Sequence, residues 1–322
     1  MTAEAPDRPR GLRGVRASRE LVLLGLLVLL VIVLGQLSPI FFTLQNLLNT
    51  SRFFVEVGLI ALGMTLIIIT GGIDLSVGAA LALVSVTVGM LAQAGVPLGV
   101  ALLAGVAVGV AAGFFNGFMI TRLDLHPLVV TLGTFALFRG LALGISEGGA
   151  VSSFPAWFEY FGQFFLGPVP GQLLVFLLAI AVVWVVLSRT PFGRYVYAIG
   201  NNEEAARFSG VPVRRVKVAL YTGTGALVSL AAIIYTSRVT TSRADSGLGL
   251  ELDVISAVVL GGASIYGGSG TIAGTVLGVV IIATLRNGLN LAGVETTWQV
   301  FLLGVLLIVA VFLNEFFRRR EE

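Results

Sequence analysis

Long apolar runs recur between residues 21 and 316, and their lengths restrict this chain more than any single motif does. They cover residues 21–37, 53–70, 77–93, 98–120, 127–145, 171–188, 216–236, 252–265, 271–290 and 298–316. An α-helix crosses the roughly 30 Å apolar core of a bilayer in about 20 residues, so most of these runs are long enough to span. Hydrophobic residues make up 57% of the chain and charged residues 11%, too little polar surface to coat a water-soluble fold of 322 residues. The reading is an all-α polytopic membrane protein with about ten transmembrane helices.

Several chemistries drop out at once. There are no cysteines, so disulfides and thiolate metal sites are excluded, and the one histidine, His126, cannot build a zinc site alone. It stands beside Pro127 at a span boundary, which suits an interfacial structural role. Nucleic-acid binding finds no support, because the arginines fall in joints between apolar runs and not along one basic face.

The basic residues instead report orientation. With the amino terminus inside, fifteen of the twenty lie on the cytoplasmic side: five in the tail 1–20, Arg122, six in the joint 189–217 and Arg318 to Arg320. Arg52, Arg238 and Arg243 fall outside, and Arg139 and Arg286 lie within spans. Such a bias fixes the topology, with both termini cytoplasmic and a single transmembrane domain over 21–316 between tails 1–20 and 317–322. The run 21–37 follows a basic stretch like a signal peptide, yet no small-residue cleavage site follows it, so it reads as an uncleaved first helix. Residues 146–170 carry Trp157, Tyr160 and several phenylalanines without a basic charge, which fits an outer loop with an aromatic interfacial helix.

The joint 189–217 is the longest polar island between spans. Pro191 and Pro212 bracket it, and Asn202-Glu203-Glu204-Ala205-Ala206-Arg207 reads as a short helix with an asparagine cap and acids in its first turn. A charged helix tethered between two spans is placed to touch something soluble.

At membrane depth the polar residues are few. In TGGIDLSVG, residues 70–78, Gly71 and Gly72 break one span while Asp74 and Ser76 open the next, so Asp74 is either a helix cap or a charge facing a path. The run 252–265 is short and is broken at Gly261-Gly262, which survives at depth only where protein or water satisfies its backbone. Asn116 and Asn287 either bond a ligand's hydroxyls or join helices to each other. Glu56, Arg139 and Arg286 are expected to form ion pairs or to snorkel.

Sliding the chain over itself by 171 positions aligns Thr70 with Thr241, Asp74 with Asp245, Gly78 with Gly249, and Asn116-Gly117 with Asn287-Gly288. The halves, about 53–145 and 216–316, would then have opposite orientations, a recurring transporter design with the path along their interface. Glycines 105, 109, 113 and 117 form one ladder and glycines 270, 274 and 278 another, and close helix packing is the expected use of both.

GRYVYAIGNNEEAARFSGV in the central joint resembles the cytoplasmic coupling loop of permease subunits from bacterial ABC importers, in the branch that takes up ribose, xylose, rhamnose and similar monosaccharides. TGGIDLSVG, the stretch 254–281 and NGFMITRLDLHPLVVTLGTFALFRG resemble the same family, so the similarity spans about residues 50 to 310. The resemblance implies an inverted-repeat permease working by alternating access in the bacterial inner membrane, in contact with its lipid. It implies a second permease subunit, ABC ATPase subunits and an extracytoplasmic sugar-binding protein as partners. Gly193, Asn202, Glu203, Glu204, Ala205, Ala206, Arg207 and Gly210 would form the ATPase-coupling loop. Gly71, Gly72, Asp74, Ser76, Asn116, Gly261, Gly262 and Asn287 would border the path. No cofactor is expected in this chain, because its one lysine, Lys217, follows Val216 and so no Walker A loop exists; ATP and magnesium would sit on the partner ATPases. An ion-coupled carrier of a small polar solute is the alternative reading. An intramembrane aspartyl protease would need a second aspartate facing Asp74, whereas Asp245 falls in an outer loop.

Overall fold

The computed structural model describes residues 11–318 other than Ser153. Arg8, Arg10, Arg319 and Arg320, and with them most of the two expected tails, lie outside the described residues. Thirteen helices and one small hairpin follow in order: α1 (Gly11–Leu37), α2 (Leu44–Ile69), α3 (Val77–Gln93), α4 (Leu98–Arg122), α5 (Pro127–Ser146), α6 (Ala156–Gln163), β1 (Phe165–Leu166), β2 (Val169–Pro170), α7 (Gly171–Arg189), α8 (Pro191–Asn201), α9 (Glu203–Phe208), α10 (Val213–Val239), α11 (Leu250–Leu260), α12 (Ile272–Leu291) and α13 (Thr296–Arg318).

Each of the ten apolar runs contains a helix, which in the run 252–265 stops at Leu260, and α3 has the bounds expected from sequence. Among the described residues six helices are long and apolar enough to cross a membrane, and α2, bent by 44° near residue 53, makes a seventh when its two arms are counted as one span. Helix α1 reaches back to Gly11, into the stretch read as a tail. Helix α6 sits where an aromatic interfacial helix was expected, and the β1–β2 hairpin beside it was not foreseen.

Local chemistry sets many of the boundaries. Thr43 and Thr271 accept backbone N–H groups from Asn46 and Gly274 and so start α2 and α12. Pro127 and Pro191 open α5 and α8, where the missing N–H costs nothing. Gly71, at φ +77°, ends α2 in a left-handed turn that a side chain would strain.

Helices α2 to α5 begin at residues 44, 77, 98 and 127, and α10 to α13 begin at 213, 250, 272 and 296, so each later helix starts 169 to 174 positions after its counterpart. Packing follows the same exchange. Helix α3 lies on both α4 and α5, as α11 lies on both α12 and α13; α10 packs on α4 and α3, as α2 packs on α12 and α11; and α2 and α10 touch each other. Thr65 and Thr236, 171 positions apart, each bond a hydroxyl on a neighbouring helix at 2.7 Å, Thr65 to Thr275 and Thr236 to Ser85.

The seams are closed by residues without side chains. A Cβ on Gly109 or Gly113 would run into Ser229 or the Tyr221 carbonyl, and one on Gly117 would reach Val218, so these three seat α4 on α10, while Gly105 lies against Val88 of α3. Gly274 and Gly278 likewise lie on the Gly261 and Ala257 carbonyls and seat α12 on α11. Lipid offers no hydrophobic drive for helix association, so contact at this range is what holds such pairs. Gly270 falls outside the ladder, in the turn before α12, at φ +157°.

The broken run 252–265 is resolved differently from an ordinary span. Helix α11 holds only eleven residues, about 16 Å at 1.5 Å per residue, and the chain leading into it is irregular. That lead is tied down: Ser242 exchanges backbone hydrogen bonds with Val151, and Arg139 on α5 donates to the carbonyls of Ala244 at 2.6 Å and Ser246 at 2.9 Å. Arg139 therefore neither snorkels nor forms a direct ion pair among the described residues, because the buried carbonyls of Ala244 and Ser246, which no helix ladder satisfies, claim its guanidinium.

Candidate functional site

The joint 189–217 folds as two helices where one was expected. Helix α8 buries Gly193, Val196 and Ile199, and Gly193 lies so close to the Leu187 carbonyl that a Cβ would not fit. At its far end Gly200 meets the Ile69 carbonyl with equally little room. The Tyr197 hydroxyl donates to the Gly270 carbonyl at 2.8 Å, and Gly268 N–H donates to the Ile69 carbonyl at 2.9 Å. One amphipathic helix is thus bolted to the chain break after α2 and to the break after α11, one from each half. Gly71 at φ +77° and Gly262 at φ +99° supply the left-handed turns in those breaks, while Gly72 lies against the Tyr221 hydroxyl and Gly261 against α12.

Helix α9 is capped as its sequence predicts, Asn202 Oδ1 accepting the Ala205 N–H at 2.9 Å. Glu203 turns back to Lys217 on α10 at 2.5 Å and reaches Arg207 at 3.4 Å. Ala206 is buried against the body, so only part of the expected coupling set faces outward. Glu204, Ala205 and Arg207 are exposed, Gly210 at φ +83° ends the turn, and Phe208 stands 89% exposed. An aromatic ring held in the open beside a charged helix was missed by sequence reading, which weighed only the charges.

The polar residues at depth separate into two groups. Asp74 Oδ1 accepts the Ser76 N–H at 2.9 Å and the Ser76 hydroxyl at 2.6 Å, and Asn116 Nδ2 donates to Ser76 Oγ at 2.8 Å. All three are buried among α3, α4 and α10, and the space beside them is about 10 Å³, at most one water. Asn287 lies elsewhere: it exchanges side-chain hydrogen bonds with Asn46 at 2.9 and 3.0 Å, joining α12 to α2.

Asn287 also borders a cavity of about 350 Å³ among α2, α10, α11 and α12. Two ion pairs line it. Arg238 donates to both oxygens of Glu56 at 2.8 and 3.1 Å, and Arg286 donates to Asp253 at 2.6 Å. Arg238 was read as an outer-loop charge, but α10 runs three residues past the expected 236 and brings it onto the buried Glu56. The signal was present, since an acid inside an apolar run demands a cation at the same depth. Beyond the spans, Arg243 and Asp245 form an exposed pair at 2.8 Å, and donation by Arg243 holds the Asp245 carboxyl below the usual carboxylate range. Asp245 is thus engaged by Arg243 and not by Asp74, whose carboxylate is bonded by Ser76.

Two halves that exchange their packing, with chain breaks that meet under a surface helix, have the build of a multi-pass helical membrane protein whose halves can move against each other. Residues 46–311 match the family described as branched-chain amino acid transport system / permease component, and the chain belongs to it. Among its relatives, the ribose import permease protein RbsC of Bacillus subtilis (strain 168) is 46% identical over 289 residues, covering 88% of this chain and 89% of that one. The autoinducer 2 import system permease protein LsrD of Escherichia coli (strain K12) is 38% identical over 303 residues, 92% of each chain. The counterpart in Photorhabdus laumondii subsp. laumondii is 37% identical over 306 residues, 92% of this chain and 91% of that one. No solved structure matches.

Proposed function

We propose that the chain is the permease subunit of an ATP-driven ABC importer that carries a monosaccharide inward by alternating access. The observation that carries this reading is the α8–α9 unit: a capped, charged surface helix continuous with one whose Tyr197 and Gly200 grip the chain breaks of both halves. A push on α9 has a rigid route to the place where the halves meet. With no Walker A loop in the chain, the push must come from companion ATPase subunits, which hold the ATP and magnesium. A second permease subunit and an extracytoplasmic sugar-binding protein complete the assembly, in the bacterial inner membrane with both termini cytoplasmic. The 171-residue exchange of elements supports two inverted halves rocking against each other. The names of the relatives, ribose and autoinducer 2 permeases, support a sugar-like substrate over the amino acid in the family's description.

Proteoliposomes test this. Permease assembled with its ATPase and binding protein should take up ribose only with ATP on the cytoplasmic face. Equal uptake by the permease alone under a proton or sodium gradient would replace the reading with that of an ion-coupled carrier.

A further inference from the structure

The cavity among α2, α10, α11 and α12 has a definite depth. It reaches Tyr235 and Arg238, some 22 to 25 residues from the start of α10, which places it about 33 to 38 Å along that helix from the turn that α9 adjoins. It is therefore on the side remote from the coupling helix, where an incoming solute arrives first.

Its chemistry is specific. Both carboxylates, Glu56 and Asp253, are already met by arginines, so the walls carry charge but offer no net sign to a carboxylate or ammonium. They offer donors and acceptors together: the two ion pairs, and the amides of Asn287 and Asn290, which keep further hydrogen-bonding capacity beyond their bonds to Asn46 and Gln299. The buried Nε of Arg286 has no hydrogen-bond partner, a donor left over by the protein's own network. The rings of Phe54 and Tyr235 and several aliphatic side chains supply apolar wall. At about 350 Å³ the space falls at the small end of the range for ligand pockets, which runs from about 300 to 1,000 Å³. A small neutral molecule with hydroxyls on its edges and C–H faces between them matches such a lining; a zwitterion does not, because it would have to break one ion pair to be paired itself.

We propose that this cavity is a binding station for a neutral monosaccharide within the permease subunit, occupied before the halves rock, so that the permease itself contributes to selection. The proposal rests on the importer reading and names the place where that importer first holds its substrate. It makes Asn290, Asn287 and Arg286 the hydroxyl-reading groups.

Ribose binding to the purified permease in nanodiscs, without ATPase or binding protein, tests the station directly. Saturable binding of radiolabelled ribose is expected, uncompeted by leucine; no saturable binding, or leucine competing as well as ribose, overturns it. Ala283 borders the cavity without contributing a polar group, so Ala283→Phe fills the space and leaves both ion pairs in place. That variant, or the smaller Ala283→Leu where the larger ring prevents folding, should weaken ribose binding and uptake by about ten-fold or more, the scale of one lost hydrogen bond to a charged group. Wild-type binding in a folded Ala283 variant overturns the station. The importer reading fails separately, when the wild-type assembly takes up no sugar with ATP; wild-type uptake alongside absent binding sinks the station alone.

Discussion

Arg238 on α10 grips the carboxylate of Glu56 on α2 with two hydrogen bonds, at 2.8 and 3.1 Å, across the contact between the two helices that correspond in the two halves. Only 5% of the Glu56 side chain is exposed, so water cannot replace the arginine. Removing one partner of such a pair leaves a buried charge uncompensated, which costs about 3–5 kcal/mol. Glu56→Ala or Arg238→Ala should therefore lower the melting temperature of the purified protein sharply. The double variant Glu56→Gln with Arg238→Met should recover most of the loss. Melting followed by intrinsic tryptophan fluorescence distinguishes the two cases, and a double variant as unstable as the singles would refute the pairing.

Arg139 makes a second prediction, because its guanidinium satisfies carbonyls of the irregular lead into α11. Arg139→Met leaves the Ala244 and Ser246 carbonyls unpaired, at a cost of about 1–3 kcal/mol for each buried group. Lysine has one compact donor head in place of the fork and should rescue only part of that loss. Hydrogen exchange of residues 241–249 reads the effect locally: protection should fall in Arg139→Met and lie between the two in Arg139→Lys. Unchanged protection would show that the lead holds itself.

The glycine ladder makes a third. Gly113 lies on the backbone of Tyr221 and Gly225, whereas Gly133 on α5 has nothing within 4 Å of the place a Cβ would occupy. Gly113→Ala should part α4 from α10 and reduce the yield of folded protein, and Gly133→Ala should leave yield and melting unchanged. Two identical chemical changes then differ only in what stands opposite. Equal behaviour of the pair would mean that the α4–α10 seam tolerates widening.

These contacts mark where sequence reading succeeded and where it stopped. Apolar run length located the helices, because a bilayer leaves the backbone little choice but α-helix, though among the described residues only six of them, or seven with the bent α2, have the length and apolarity of a full span; the Asn202 cap was legible because it is made within four residues. The spacing of glycines foretold packing but not which helix lay opposite. Arg238 and Asp253 were missed as partners because pairing joins positions 182 and 33 residues apart, which composition does not reveal. Asp74, Ser76, Asn116 and Asn287 were read together as polar residues at depth, a property that could not separate the closed network of the first three from the open cavity that Asn287 borders.

Phe208 carries the last prediction. A six-residue helix whose acid Glu203 is engaged by Lys217 offers few strong contacts of its own, and long-range charge is screened within about 8 Å at physiological salt. An aromatic side chain 89% exposed at its end is then the group with most surface to lose on docking. Anchors of this kind cost at least about 2 kcal/mol when truncated. Phe208→Ala should weaken association of the permease with its ATPase by about thirty-fold, measured by co-purification across a dilution series, and lower ATP-driven uptake in step. Asn202→Ala removes only the cap, worth about 1 kcal/mol, and should cost less, while Asn202→Asp keeps the acceptor and should cost almost nothing. Ribose binding to the isolated permease, made about 33 to 38 Å away along α10, should be the same in all three. Were Phe208→Ala to assemble and transport like the wild type while Glu204→Arg did not, the lever would be held by charge and the exposed ring would have no part in it.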